Sequence, residues 1–126
     1  LGLSQFNRLV EFIDIKKKLH TQYSKFIDDK YLKQFEDSET PWFIDFYCDD
    51  QKQREELKLY LSSKNIETRY SYPALSSQSY LQEINKTNLS NSEEISDNIL
   101  WLPSSTNLTS DEIKYVSDEV NNFFNN

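Results

Sequence analysis

The residues able to do chemistry are few in this chain, and their scarcity sets the first limits. The sequence holds one His, one Cys and one Gly. That rules out a nucleophile with alternative bases, a Cys/His zinc set and a glycine-rich phosphate loop. No catalytic or metal-ligating residue is assigned. His20 stands between Lys18 and Gln22 in a helical stretch and reads as a solvated surface side chain. Cys48 sits in a strand pattern and reads as a buried structural thiol. The acidic pairs Asp28-Asp29, Asp49-Asp50 and Glu93-Glu94 fall at helix ends, where capping and solvation account for them. One cluster survives as a substrate-binding candidate, the turn carrying Arg69, Tyr72, Ser76 and Gln78. An Arg there serves equally well as half of a surface ion pair or as a ligand contact.

The elements that must position this turn lie between Pro41 and Tyr80. Phe43, Ile44, Phe46 and Tyr47 are strand formers bounded by Pro41 and by Asp49-Asp50. The period then changes, with Leu57, Tyr60, Leu61 and Lys64 at helical spacing. Asp50 is an N-cap, with Gln53 completing a capping-box pattern, and Asn65 stands where a left-handed residue ends a helix. Ile66 to Tyr70 reads as a second strand leading into a turn fixed by Pro73. The pattern predicts a small mixed three-stranded sheet, with strands near 42–48, 66–70 and 99–102. Helices over 51–64 and 110–123 should cover it, with a long N-terminal helix over 4–28 alongside. The 51–64 crossover makes the first two strands most simply parallel neighbours. Thr109 and Glu112 form a capping box for the last helix, which buries Ile113, Val116, Val120 and Phe123. Asn91 and Glu94 suggest another capped short helix, and 80–84 a helical turn. The fold class is α/β (α+β).

Composition narrows the partners. At 126 residues the chain is a single domain spanning 1–126, and no apolar run is long enough to cross a membrane. A net charge of −7 and a pI of about 4.7 argue against nucleic acid and anionic membranes as partners. Asn-x-Ser/Thr sequences at Asn85, Asn88 and Asn107 read as chance matches in an Asn-rich chain.

The first helix, capped by Ser4, has one stripe of Leu9, Phe12, Leu19, Tyr23 and Phe26. Its first turns also place Phe6, Val10, Ile13 and Ile15 around nearly the whole circumference. A helix apolar all round expects partners on more than one side. With an opening Leu1-Gly2-Leu3, the chain reads as a piece of something larger. A dimerisation helix in a complete small protein is the alternative. Residues 28–40 form a charged connector anchored by Tyr31, Leu32 and Phe35.

Three stretches together resemble the DegT-type nucleotide-sugar aminotransferases. GLSQFNRLVEFIDIKKKLHTQYSKFI is similar to the family's long helix through Gly2, Gln5, Phe6, Arg8, Leu9, Lys16 to Lys18 and Tyr23. NIETRYSYPALSSQSY is similar to its "GI-x-T/S-R … Y-P-x-L-H-x-Q" segment through Ile66, Thr68, Arg69, Tyr72, Pro73, Leu75 and Gln78. The closing pattern is matched by Glu94, Ile99, Leu102, Pro103, Leu108, Thr109 and Glu112. Ser76 stands where the family has His, and Asn65 where it has Gly.

The resemblance implies the C-terminal small domain of a pyridoxal-phosphate-dependent aminotransferase of fold type I. Such an enzyme takes an amino group from an amino-acid donor to a nucleotide-linked keto sugar, in amino-sugar biosynthesis. It implies a large cofactor-binding domain, carrying the Schiff-base Lys, that is absent from these 126 residues, so this fragment alone would be non-catalytic and hold no cofactor. It further implies a cytoplasmic homodimeric parent. A non-enzymatic acidic interaction or regulatory module is the other reading of the same chain.

Overall fold

A computed structural model describes residues 2–81 and 89–125. The chain opens with α1 (Gly2–Phe6) and α2 (Leu9–Tyr23), followed by the connector and β1 (Ile44–Tyr47). Then come α3 (Gln51–Ser63), β2 (Arg69–Tyr70) and two 3-10 turns at Leu75–Ser77 and Ser79–Leu81. The chain closes with α4 (Ser90–Asn98), β3 (Ile99–Leu102) and α5 (Ser110–Asn125). The expected α/β class, with three strands under helices, is what the molecule adopts. Sequons Asn85 and Asn88 and the end of the predicted 80–84 turn lie outside the described residues, as does the Ser4 side chain expected to cap the first helix. No helix among the described residues is long and apolar enough to cross a membrane.

The sheet corrects one expectation. Its order is β1-β3-β2, and both pairings are antiparallel, so it is not mixed. β1 and β2 do run in the same direction, but β3 lies between them. The reason is in the side chains. Ile99-Leu100-Trp101-Leu102 is buried at all four positions, as befits a central strand covered on both faces, whereas β2 has two exposed residues and takes an edge. β2 is accordingly shorter than the predicted 66–70. Ile66 and Thr68 are buried, yet only Arg69 and Tyr70 complete the ladder. At the other edge the connector adds a bridge between Leu32 and Phe46, and Tyr47 N–H donates to the Tyr31 carbonyl at 2.7 Å.

Ile44, Phe46, Leu100 and Leu102 point to one face and meet Leu19, Tyr23, Leu57, Leu61, Ile113, Val116 and Val120 from α2, α3 and α5. Phe46 is fully buried, with Tyr31 stacked on it at 5.3 Å and Phe124 tilted against it at 5.9 Å. Each such side chain contributes about 1.5–3 kcal/mol on burial. The Tyr23 hydroxyl donates to the Pro103 carbonyl at 2.9 Å, tying α2 to the end of β3.

Local signals hold up with small adjustments. Asp50 accepts from Gln53 N–H at 2.7 Å, but the Gln53 side chain accepts from the N–H of Asp49 rather than Asp50. Asn65 takes φ 59°, the left-handed conformation that ends α3. The Thr109–Glu112 box closes in both directions, which holds the Glu112 carboxyl below its usual range. α4 exists, but it begins at Ser90, so Asn91 lies inside it and no side chain caps it. The predicted 4–28 helix is interrupted at residues 7–8 and ends at Tyr23. There Ser24 Oγ donates back to the His20 carbonyl and Lys25 N–H bonds Gln22, tightening the last turn. His20 is not solvated as expected. Its Nε2 lies 2.8 Å from the Lys33 carbonyl, and its ring meets Phe35 edge-on at 5.0 Å.

Cys48 is buried, and burial pushes its thiol up to about 12. Its reaction with a maleimide at pH 7 should therefore follow global unfolding. The labelling rate in rising denaturant is expected to track loss of circular dichroism. Rapid labelling of the native chain would show that the β1 end opens separately.

Candidate substrate-facing groove

The antiparallel register sets a cross-strand row on the sheet face opposite the helices: Asp45, Trp101 and Arg69. Successive strands lie about 4.8 Å apart, so the backbones of Asp45 and Arg69 are separated by roughly 9–10 Å. Trp101, only 8% exposed, fills the space between them. The Phe43 ring stacks on Trp101 at 3.8 Å, and Tyr72 meets it edge-on at 5.0 Å. Burial raises the Asp45 carboxyl above its usual range, partly offset by the Trp101 indole and the positive charge of Lys33.

Arg69 is exposed and has no carboxylate partner among the described residues. It lines a groove of about 550 Å³ with Phe43, Asn65, Glu67, Trp101 and Tyr115.

The four predicted residues are not gathered equally. Arg69 and Tyr72 flank Trp101, and Tyr72 remains 70% exposed. Ser76 lies in the first 3-10 turn with its Oγ buried and unpartnered, and Gln78 closes that turn through its backbone N–H to the Leu75 carbonyl. Neither lines the Arg69 groove. Phe43 and Trp101, which line the groove with Arg69, are not among the residues named from the sequence as candidates. Their signal is the register of β3 between β1 and β2, which spacing along the chain does not carry.

The neighbouring Tyr70 belongs to the other face. Its hydroxyl donates to Glu55, while Lys58 sits 3.6 Å and Arg54 4.5 Å from its ring centroid. These contacts fasten the β2 edge to α3 and keep Arg69 directed to the open side.

A second concavity, about 750 Å³, lies between α1–α2 and the residues before β1. Phe6, Leu9, Phe12, Ile13, Pro41 and Trp42 form its apolar wall. Phe6 and Val10 are 68% and 72% exposed, and Leu9, expected on the buried stripe, is exposed as well. Ile13 is half-buried. Lys16 lies at its edge, donating to the carbonyls of Trp42 and Ser104, and burial lowers its pKa.

Comparison with known proteins places these features in a family. A family model described as the DegT/DnrJ/EryC1/StrS aminotransferase family matches residues 1–121. The chain is 26% identical to GDP-perosamine synthase of Escherichia coli O157:H7, over 98% of this chain and 35% of that protein. A DegT DnrJ EryC1 StrS aminotransferase from Brucella abortus superposes with a TM-score of 0.82 at 18% identity, covering 96% of this chain and 33% of its own. The E. coli GDP-4-keto-6-deoxy-D-mannose-3-dehydratase with bound hydrated PLP gives a TM-score of 0.67 at 26% identity, covering 94% and 33%. The chain thus spans about a third of the length of the relatives it matches.

Proposed function

This chain belongs to the DegT/DnrJ/EryC1/StrS aminotransferase family, and from that premise we propose that it is the C-terminal small domain of a pyridoxal-phosphate-dependent sugar aminotransferase. The parent moves an amino group from an amino-acid donor to a nucleotide-linked keto sugar. A large domain carries the cofactor and its Lys, the parent works as a cytoplasmic homodimer, and residues 1–126 are not catalytic alone. The nucleotide-sugar acceptor is supported by the relative named GDP-perosamine synthase.

The described lysines that carry side-chain contacts do not fit pyridoxal phosphate by themselves. Lys16, the described lysine whose pKa burial lowers, has its amino group committed to two carbonyls and stands beside an apolar wall with no Arg. Other described lysines meet carboxylates, as Lys64 meets Glu119 and Lys114 meets Asp118, or lie over rings, as Lys58 over Tyr70.

What this chain contributes is an anion contact and an aromatic wall. The observation that carries this is Arg69, which extends from β2 beside Trp101 and Tyr72 without a carboxylate partner among the described residues. A guanidinium so placed suits a phosphate or carboxylate oxygen of the substrate. Ser76 and Gln78 shape the turn behind Tyr72, and Ser76 brings a hydroxyl but no titratable group.

The test is Arg69→Ala in the full-length enzyme, with amino transfer to a nucleotide-linked keto sugar followed by mass spectrometry. Loss of a charge-assisted contact of about 1.5–3 kcal/mol should lower kcat/KM roughly ten- to a hundredfold, mainly through KM. The melting temperature should hold, and Arg69→Lys should recover part of the loss. An unchanged kcat/KM would remove Arg69 from the site. Loss of water from the sugar without gain of nitrogen would instead favour the chemistry of the dehydratase relative.

A further inference from the structure

Asp45 and Arg69 carry opposite charges in one row of the open sheet face, yet they form no ion pair with each other. Each is the register partner of Trp101, so all three side chains leave the sheet on the same side. The strands carrying the two charges are two ladder spacings apart, roughly 9–10 Å. An extended Arg side chain reaches across such a gap to a carboxylate. The Trp101 indole stands in the way.

That ring is held from three sides. Phe43 stacks on it at 3.8 Å, Tyr72 meets it edge-on at 5.0 Å, and its N–H donates to the Asp45 carboxylate. Asp45 is thereby served without Arg69. Besides the indole it has the positive charge of Lys33, whose backbone N–H donates to the Asp45 carbonyl at 3.2 Å from the connector, on the side of β1 away from β3. Asp45 is half-buried, and a carboxylate losing water gains from any guanidinium that reaches it. The bulk of the ring prevents that contact.

We propose that Trp101 is a positioning residue that acts as a spacer, keeping Asp45 from neutralising Arg69 and so leaving the guanidinium open to an anionic group of the substrate. The inference rests on the reading of Arg69 as an anion contact. It explains how that contact stays unpaired on a chain of net charge −7. With the ring reduced, Asp45 becomes an internal competitor for the same guanidinium.

Phenylglyoxal modification of the arginines in the full-length protein, read by peptide mass spectrometry, tests this directly. Arg8, exposed and paired with Glu11, and the buried Arg54 are internal references. In the unaltered protein Arg69 should react faster than Arg54, and Asp45→Asn alone should leave its rate unchanged. Trp101→Leu should slow Arg69 about two- to fivefold, the range of a partly exposed ion pair. Asp45→Asn in that background should restore the rate, which mere loosening of the sheet would not do. Trp101→Phe keeps a ring in the gap and should match the unaltered protein.

An Arg69 that Trp101→Leu does not slow, or that Asp45→Asn does not then release, would overturn the proposal. So would an Arg69 no more reactive than Arg54, or one that Asp45→Asn alone speeds up, since the pair would already exist. If the Leu variant does not fold, Asp45→Asn alone and Trp101→Phe still decide: unchanged rates in both sustain the spacer, and a changed rate in either overturns it. Amino transfer by the Arg69→Ala enzyme separates the two claims. This labelling pattern in an enzyme indifferent to Arg69→Ala defeats only the anion contact, and a kinetic loss without the pattern defeats only the spacer.

Discussion

Phe46→Ala is expected to lower the unfolding free energy by about 3–5 kcal/mol, the range for truncating a buried aromatic ring. Phe46 is fully buried and sits where four elements meet. It belongs to β1, lies opposite Leu100 of β3, bridges to Leu32 of the connector and touches Phe124 of α5. Its removal leaves Tyr31 and Phe124 facing a void, although those two rings, stacked at 4.9 Å, keep each other in place and limit collapse. Single domains have about 5–15 kcal/mol in all, so this substitution takes a large share. The contrast is Phe6→Ala. Phe6 is exposed in these 126 residues, and its loss should cost no more than about 0.5 kcal/mol. Urea unfolding of both variants measures the difference. Equal effects would mean that the core does not centre on Phe46.

How much of this was legible in the sequence depended on the range of the interaction involved. Caps were readable because Asp50–Gln53 and Thr109–Glu112 act within one helical turn. Asn65 was readable because the left-handed conformation has few suitable residues. The apolar excess of the first helix was also visible, and Phe6 and Val10 are indeed uncovered.

Strand order was not readable. Parallel neighbours are the simplest outcome of a strand–helix–strand unit, but the most apolar strand, 99–102, displaced that arrangement by taking the centre. The break at residues 7–8 likewise had no local Pro or Gly to announce it. His20 looked solvated because its partner Lys33 lies 13 residues away on a connector whose path has no periodic signature. Arg69 and Tyr72 could be named from the turn they share. Their third companion, Trp101, could not, since it reaches them only across a strand ladder.

Three of the described lysines already have partners. Lys16 holds two carbonyls, and Lys64 and Lys114 are paired with carboxylates. Amino transfer needs a Lys whose amine is deprotonated and directed at the cofactor, placed by a pocket that also grips the phosphate. The decisive measurement is borohydride reduction of the full-length protein loaded with pyridoxal phosphate, followed by peptide mapping of the modified Lys. The predicted result is stoichiometric labelling of one Lys outside residues 1–126, with the 126-residue chain alone left unlabelled under the same conditions. Stoichiometric labelling of a Lys within residues 1–126, in either protein, would contradict the assignment of this chain as the domain that meets substrate but does not hold the cofactor.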